Sequence, residues 1–518
     1  MMQKKYTEIQ NKIDILEKKN YLSFLGGGEK KIDIQHSLGK LTARERINIL
    51  FDENSFVEMD RFRIHRCDGL DKASQTFLGD GVIIGFGLIN GYKVGAYSQD
   101  FTIFGGSLSE TVAEKICKIY KLCIKLKLPI ISLNDSGGAR IQEGVVSLAG
   151  YSDIFYLNSI SSGLIPQISI IMGPSAGGAV YSPALNDFII MVENTSYMFL
   201  TGPEVIKTVT HEIVTKESLG GCSTHTEKSG VAHFSCSNDI DAIETSKKLV
   251  SYIQNQKTIS SDDYKTSHDL EDRSIDLIIP CESTKPYNVK LIIDKVVDEN
   301  SFFEVSSNFA KNIVVGFATI LGKTTGVVAN QANFLAGAID IDASDKSSRF
   351  IRFCDAFNIP IITLVDTPGF LPGVKQEHNG IIRHGAKLLY AYSEATVPKI
   401  TVILRKAYGG AYCVMGSKHL GADFNFAFPT AEIAVIGAEA AYNIIHGKNI
   451  DYSSEIKKEK FISDYKEKFQ NPYRAAEFGY IDEIITPSQL KYKIIRSLEL
   501  LQTKYEKLPI KKHGNIPL

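Results

Sequence analysis

The chain has 518 residues, 44% of them hydrophobic and 23% charged, so its length allows two to four folded domains, each with its own core. It contains no run of about 18 apolar residues, which a membrane-spanning helix requires, and its 58 Lys and Arg residues nearly balance its 59 Asp and Glu residues. We therefore expect neither a membrane nor a nucleic-acid partner.

The cysteines and the N-terminus point to an intracellular protein. No two cysteines form a Cys-x-x-Cys pair, which predicts free, reduced thiols rather than a zinc site or disulfide bonds. The N-terminal segment has acids at Glu8, Asp14 and Glu17 and no apolar centre, unlike a secretory or mitochondrial leader. We expect a polar amphipathic helix there and a cytoplasmic location. The eight cysteines are Cys67, Cys117, Cys123, Cys222, Cys236, Cys281, Cys354 and Cys413.

The two halves of the chain repeat one pattern. In the first half, two apolar strands flank an Asn-Gly pair at Asn90 and Gly91, a strong hairpin signal. The second half has a matching segment in which Gly322 takes the place of Gly91. Self-similarity at a fixed distance indicates an internal duplication.

The match continues beyond the hairpin. In each half a helical segment runs into an apolar strand, which starts at Pro129 in the first half and at Pro360 in the second, with the same separation in sequence as between Gly91 and Gly322. A third match pairs Gly177 with Gly409 at almost the same separation. The pattern predicts an α/β fold made of two ββα superhelix domains rather than a doubly wound dinucleotide fold. The polar segment 255–274 suggests a division into 1–270 and 271–518.

Both halves carry a Gly-Gly turn between a buried strand and a helix, SAGGAVYS from Ser175 and AYGGAYCV from Ala407. Glycine lets backbone N–H groups approach a ligand closely, and the helix that follows adds the positive end of its dipole. A single Gly-Gly pair is more often a packing turn. Its duplication at equivalent positions favours two matched oxyanion holes.

Other polar residues near these turns allow two roles each. Asp135 and Asp366 are candidate acids or bases, but an N-cap is the commoner role of Asp before a helix. Arg140 suits a phosphate or carboxylate ligand and a structural ion pair equally well. The segments GGSLSE, Gly105 to Glu110, and SDKSSRF, Ser344 to Phe350, resemble helix starts, and capping is the expected role of Ser107 and Ser344.

Several motifs are absent or incomplete. The segment Gly316–Thr324 resembles a phosphate-binding loop, yet five residues separate its glycines where four are required. It also matches the turn at Gly91, so we expect a hairpin there and no ATP site on this chain. The histidines lack metal-ligand spacing, and we do not expect a Ser-His-Asp triad. We expect no metal.

A series of long motifs in order resembles the β (carboxyltransferase) subunits of propionyl-CoA carboxylase and related acyl-CoA carboxylases. The resemblance covers nearly the whole chain. The motifs include KLTARERI, SQDFTIFGGSLSETVAEKI, LNDSGGARIQEGV, SAGGAVYSPA, TGPEVIKTVT, DTPGFLPG, RKAYGGAY, PTAEIAVIGA and the terminal KHGNIPL.

The resemblance implies two crotonase-like domains per chain and six chains per assembly, with acyl-CoA on the N-terminal domain of one chain and biotin on the C-terminal domain of another. It implies that Gly177 and Gly178 form the oxyanion hole for the acyl thioester, and that Gly410 and Ala411 form the one for the biotin ureido oxygen. Tyr412 and Cys413 follow the second turn and are expected to contact the substrate. Family members that act on propionyl-CoA commonly have Asp in place of Cys413, which leaves acetyl-CoA open as the substrate.

The implied function is transfer of a carboxyl group from carboxybiotin to the α-carbon of propionyl-CoA or acetyl-CoA. The alternative within the family is a methylmalonyl-CoA decarboxylase or transcarboxylase, which runs the same half reaction in reverse. No Met-Lys-Met biotinylation turn occurs in the sequence. Biotin is therefore expected on a biotin carrier protein, with a separate biotin carboxylase or a fused α subunit as partner. A non-catalytic scaffold and an ordinary crotonase are less consistent with two Gly-Gly turns.

Overall fold

The computed structural model describes residues 2–66, 76–255, 257–260, 270–446 and 455–518. These fall into two compact units, residues 1–254 and 255–518. Much of the predicted linker, and Cys67 with its predicted free thiol, lie outside the described residues. The assignment of functional domains to 1–270 and 271–518 stays a prediction.

The first unit contains an eight-stranded sheet in the order β1-β2-β3-β4-β5-β6-β8, with β7 paired to β5. Strands β1 to β3 are antiparallel, and the later pairs are parallel. The strands are β1 Val57–Met59, β2 Val82–Ile89, β3 Tyr92–Gln99, β4 Ile130–Ser136, β5 Gln167–Ala176, β6 Phe188–Val192, β7 Tyr197–Phe199 and β8 Phe234–Cys236. The helices are α1 Met2–Phe24, α2 Glu29–Ser37, α3 Ala43–Leu50, α4 Glu110–Leu126, α5 Val145–Ser161, α6 Tyr181–Leu185, α7 Pro203–Thr210, α8 Lys216–Gly220 and α9 Asp239–Gln254.

The second unit repeats this topology, with the sheet order β16-β14-β13-β12-β11-β10-β9 and β15 paired to β13. Its strands are β9 Phe303–Val305, β10 Ile313–Ile320, β11 Lys323–Asn330, β12 Ile361–Thr367, β13 Lys399–Tyr408, β14 Phe424–Ala427, β15 Glu432–Ala434 and β16 Glu483–Ile484. Its helices are α10 Lys290–Val296, α11 Ile341–Ala356, α12 Val374–His378, α13 Ile381–Glu394, α14 Gly409–Val414, α15 Ala438–His446, α16 Glu455–Phe469, α17 Pro472–Glu477 and α18 Leu490–Leu500. The two matching units confirm the predicted α/β duplication.

Both predicted hairpins are present. Asn90 and Gly91 have φ of 50° and 81°, as a type I′ turn requires, and Ile89 pairs with Tyr92. In the second unit, Ile320 pairs with Lys323. The segment that resembles a phosphate-binding loop is therefore a hairpin.

An aspartate outside each hairpin fixes its turn. Asp52 accepts hydrogen bonds from the N–H groups of Asn90 and Gly91 at 3.0 and 2.9 Å. Asp298 accepts the equivalent bonds in the second unit at 2.8 and 2.7 Å. Both aspartates begin an identical sequence, DENSF. The duplication thus extends further towards the N-terminus than the hairpin match indicates.

Both predicted capping residues were wrong, although helix α4 does start within the first of the two predicted segments, at Glu110. Helix α4 has Ser109 as its N-cap, which accepts from the N–H of Val112, while the Ser107 hydroxyl accepts from Arg140 instead. Helix α11 begins before Ser344, because Asp340 already caps it by accepting from Ala343. The first segment is helical, as predicted, in α1.

Candidate active site

The first Gly-Gly turn lies at the end of β5, where the chain enters a short 3-10 turn, Gly177–Val180. Gly177 has φ of 62°, a left-handed conformation that favours glycine. A Cβ on Gly178 would lie 3.1 Å from the ring of Tyr151 in α5. Both glycines are therefore required by the backbone conformation or by the close packing of the turn.

The second Gly-Gly turn joins β13 to α14. Gly409 has φ of 56°, and a Cβ there would lie 3.2 Å from the carbonyl oxygen of Val435. Gly410 and Ala411 belong to the first turn of α14, so their N–H groups have no acceptor within the helix. A Cβ on Gly410 would be 3.6 Å from the Phe370 ring, an ordinary contact distance.

In each unit, the segment before a later helix approaches the Gly-Gly turn through a backbone carbonyl oxygen. A Cβ on Gly177 would lie 4.0 Å from the carbonyl oxygen of Leu200. In the second unit, a Cβ on Gly409 would likewise lie 3.2 Å from the carbonyl oxygen of Val435. Each of these residues lies just before a helix, α7 or α15. The sequence signal was TGPE in one half and IGAE in the other, a match that the sequence analysis missed.

Tyr412 and Cys413 lie in α14 directly after Ala411. Tyr412 is partly buried, and its ring packs against His419 with centroids 6.3 Å apart. Burial raises the pKa of Tyr412 to about 12, and its hydroxyl lacks a hydrogen-bond partner among the described residues. Cys413 is exposed. The structure thus leaves one polar atom unpaired and one thiol accessible beside the turn.

A partly buried polar cluster anchors the end of β13 before the second turn. The Tyr408 hydroxyl is bonded to Glu432 in β15, and Gln470 Nε2 donates to the Tyr408 hydroxyl and to Glu432 at 2.9 and 2.8 Å. Gln470 also accepts from the N–H of Ala438, the first residue of α15, at 2.8 Å. The cluster connects the start of the turn to the start of the neighbouring helix.

The expected N-cap role of Asp135 and Asp366 was wrong. Both are fully buried and lie within β4 and β12, and the next α-helices begin only at Val145 and Val374. Each carboxylate instead forms buried ion pairs, Asp135 with Lys40 and Arg46 and Asp366 with Arg405. The distances are 2.6, 2.9 and 2.9 Å.

Of the two roles considered for Arg140, the structure shows the ion pair. Its guanidinium lies 2.7 Å from Asp80, and both side chains are buried. It is also 3.5 Å from Glu143. Its charge is therefore already compensated within the fold.

Three general features of the described residues bear on function. No helix in the described part is both long and apolar enough to cross a bilayer. Nor do the described His, Cys, Asp and Glu side chains form a group of three or more that could hold a metal ion. The seven cysteines within the described ranges are free thiols.

Comparisons with known proteins place this fold in a family. Residues 34–516 match the carboxyl transferase domain. The propionyl-CoA carboxylase β chain of Cereibacter sphaeroides is 54% identical over 97% of this chain and 99% of its own length. The mitochondrial β chain of Homo sapiens is 55% identical over 97% of this chain and 93% of its own length.

A solved structure supports the same relationship. The transcarboxylase 12S crystal structure, with methylmalonyl-coenzyme A and methylmalonic acid bound, is 46% identical, covers 98% of this chain and 99% of its own chain, and superposes with a TM-score of 0.94. This likeness also confirms the predicted crotonase-like architecture. The chain therefore belongs to the carboxyl transferase family, among relatives of the β (carboxyltransferase) subunits of propionyl-CoA carboxylases.

Proposed function

We propose that this chain is the carboxyltransferase subunit of a biotin-dependent acyl-CoA carboxylase and transfers a carboxyl group from carboxybiotin to the α-carbon of propionyl-CoA. The observation that carries the proposal is the pair of Gly-Gly turns at equivalent places in two duplicated units of a chain from this family. Acyl-CoA is assigned to the turn at Gly177 and Gly178, and biotin to the turn at Gly410 and Ala411.

The donor set suits the ureido oxygen of biotin. That oxygen accepts two hydrogen bonds, and the first turn of α14 offers the N–H groups of Gly410 and Ala411 without intrahelical acceptors. The left-handed φ of 56° at Gly409 lets the backbone turn directly into α14. Biotin, when bound, supplies the carboxyl group and the base that removes the α-proton of the acyl-CoA.

The residues of this chain stabilise charge and do not react themselves. The N–H groups of Gly177 and Gly178 would stabilise the thioester oxygen as negative charge develops on it, and those of Gly410 and Ala411 would stabilise the ureido oxygen. One such donor is typically worth about 3 kcal/mol of transition-state stabilisation. No side chain of these turns needs to act as acid or base.

Two observations bear on the acyl group of the substrate, the names of the β-chain relatives and the residue at position 413. The β-chain relatives named above support propionyl-CoA, whereas Cys413 in place of Asp leaves acetyl-CoA as a second substrate. The transcarboxylase 12S likeness, 46% over nearly the full chain, keeps the reverse half reaction as the second candidate function.

Partners follow from the absence of a biotinylation turn in this sequence. We assign a biotin carrier protein and a biotin carboxylase, fused or separate, as partners, and a homo-hexamer as the assembly, because the transcarboxylase 12S structure is described as a hexamer assembly. The free thiols support a cytoplasmic location.

The decisive experiment mixes the purified chain with a carboxylated biotin carrier and either propionyl-CoA or acetyl-CoA, and measures methylmalonyl-CoA and malonyl-CoA. We expect methylmalonyl-CoA to form faster. In the reverse assay, methylmalonyl-CoA should carboxylate the biotinylated carrier, because the same half reaction runs in both directions. Carboxylation of the carrier by an ATP-dependent biotin carboxylase partner is what distinguishes a carboxylase from a transcarboxylase. Formation of neither product would contradict the proposal.

Replacing Ala411 by Pro tests the assigned donors. Ala411 is the third residue of α14 and is fully buried, so Pro removes one N–H group facing the biotin side and also adds a ring to the packed turn. Turnover should fall about 100-fold, while propionyl-CoA still binds in a calorimetric titration. Unchanged turnover would remove Ala411 from the site.

A further inference from the structure

The pairing of β12 with β13 shifts by two residues just before the biotin-side turn. Val365 pairs with Ile403, but Thr367 pairs with Ala407. One residue of β12, Asp366, therefore faces a bulge in β13. The bulge consists of Leu404, Arg405 and Lys406.

The carboxylate of Asp366 fixes the backbone of this bulge. One oxygen accepts from the N–H of Lys406 at 3.1 Å, and the other accepts from Arg405 Nε at 3.0 Å. Asp366 and Arg405 are 0% and 1% exposed as side chains. A buried, charged contact to a backbone N–H is short-range and directional, so it determines where the strand continues.

The bulge is the place where β13 changes its neighbour. Strand β14 pairs with residues 400–403 of β13, whereas β15 pairs with residues 406–408. Gly409 follows immediately and starts α14. Any shift of the bulge would therefore move the N–H groups of Gly410 and Ala411.

The first unit has the same bulge. Asn134 pairs with Ile171, and Ser136 pairs with Ser175, so Asp135 faces three residues of β5 just as Asp366 faces three of β13. The residue equivalent to Arg405 is Gly173, which brings no side chain.

A different part of the chain supplies the missing guanidinium. Arg46 from α3 binds Asp135 at 2.9 Å and donates to the bulge carbonyl of Met172 at 3.1 Å. A Cβ on Gly173 would lie 1.9 Å from Asp135 Oδ1 and 2.7 Å from Lys40 Nζ. The two units thus place a guanidinium group against equivalent carboxylates, Asp366 and Asp135, although the arginines come from different positions in the sequence. This indicates that the bulge is held for a functional reason and not only because both units share an ancestor.

We infer that Asp366 and Arg405 are positioning residues for the biotin-side turn, and that Asp135 and Arg46 are their counterparts for the acyl-CoA side. This inference rests on the proposed function. In the second unit, the pair holds the bulge of β13 and so aims the N–H groups of Gly410 and Ala411. Disturbing the pair in the second unit should weaken binding of the biotinylated carrier, and disturbing the pair in the first unit should weaken binding of propionyl-CoA.

The test compares Asp366→Asn with Asp135→Asn in the full chain, using the biotinylated carrier and propionyl-CoA. Asp366→Asn removes the charge that compensates Arg405 and should lower kcat about 10- to 100-fold, the range expected for a misplacement near 1 Å. It should also raise Kd for the biotinylated carrier, with Kd for propionyl-CoA unchanged. Asp135→Asn should raise Kd for propionyl-CoA and leave that for the carrier unchanged.

Arg405→Lys provides the milder variant, because it keeps the charge but loses the guanidinium geometry. It should likewise raise Kd for the carrier and leave Kd for propionyl-CoA unchanged, with a smaller loss of kcat. It replaces Asp366→Asn in the test if that variant does not fold. Equal losses for both ligands, or wild-type kinetics, would overturn the inference. A wild-type chain that transfers no carboxyl group would instead contradict the proposed function.

Discussion

The ring of Tyr151 lies directly against Gly178, so that a methyl group on this glycine would be 3.1 Å from the ring carbon Cδ2. Tyr151 is only 5% exposed and has little freedom to move away. In the second unit the ring nearest to Gly410 is that of Phe370, from the segment after β12, and a methyl group on Gly410 would be 3.6 Å from it, which leaves room for the methyl group. The two proposed holes therefore differ in how tightly an aromatic ring supports them.

This difference predicts unequal effects of the same substitution. Gly178→Ala should displace the acyl-side turn and lower kcat/KM for propionyl-CoA about 10-fold or more, whereas Gly410→Ala should change it less than about threefold. Steady-state kinetics on both variants provides the comparison. Adding Tyr151→Leu to Gly178→Ala should recover part of the loss, and equal losses in the two single variants would argue against this account.

The exposed residue Cys413 predicts a change in acyl selectivity. Cys413→Asp should raise the ratio of kcat/KM for propionyl-CoA to that for acetyl-CoA about three- to tenfold, a range that corresponds to roughly one methylene group. Cys413→Ser is the matched control, because it keeps the size without adding charge, and its ratio should stay near that of the wild type. Ratios that are the same in all three proteins would exclude Cys413 from selectivity.

The cysteines predict a selective chemical modification. Cys281 and Cys413 are exposed, whereas Cys117 and Cys123 are buried, and burial raises the pKa of these two thiols to about 11 and about 12. Since the thiolate is the reactive form, N-ethylmaleimide at neutral pH should label Cys281 and Cys413 before the other cysteines within the described ranges, as read by peptide mass mapping.

Protection by substrate separates the two exposed thiols. Propionyl-CoA should slow the labelling of Cys413 and not that of Cys281, which serves as the internal control. Cys413→Ser should make the activity resistant to the reagent. If propionyl-CoA does not slow the labelling of Cys413 relative to that of Cys281, the acyl-CoA does not lie near Cys413.

The sequence predicted the features that depend on local chemistry. The Asn-Gly pair at Asn90 and Gly91 specified its hairpin without help from the rest of the fold, and the apolar run after Pro129 specified a buried strand. The duplication was visible because Gly177 and Gly409 need similar backbone conformations. These signals are short-range, so a single sequence reveals them.

The features that sequence analysis missed depend on distant contacts. Asp366 looks like an N-cap because its neighbours in sequence are turn residues, but its role is set by Arg405, 39 residues away. Asp135 is bound by Arg46, 89 residues away. The identical sequence DENSF escaped the comparison because the two halves differ in the spacing that follows it: the connection from β1 to β2 is much longer than the connection from β9 to β10.

A pair of buried lysines gives a further prediction, on stability. Lys115 and Lys346 occupy equivalent positions in the two halves, and each ammonium group binds carbonyl oxygens at the start of a hairpin. Lys346 donates to Phe309 and Ile313 at 2.7 and 2.8 Å. Burial lowers the pKa of Lys115 to about 8 and that of Lys346 to about 7.

The sign of the pH dependence follows from proton binding. Between about pH 7 and the ordinary lysine pKa of 10.5, position 346 binds a proton in the unfolded chain but not in the folded one. Its contribution to the free energy of unfolding therefore rises with pH across this window and is lost as the pH falls towards 7. For Lys115 the window begins higher, near pH 8.

Lys346→Met removes this proton-linked contribution. The unfolding midpoint of the wild type minus that of the variant should increase as the pH is raised from 7 to 9, because only the wild type gains stability from position 346. Thermal or urea unfolding at several pH values measures it, and subtracting the variant cancels the titration of other groups, cysteines included. The matched variant Lys115→Met should show the increase only above about pH 8. Midpoint curves that stay parallel for the wild type and Lys346→Met would mean that the carbonyl oxygens stabilise the ammonium form enough to cancel the effect of burial.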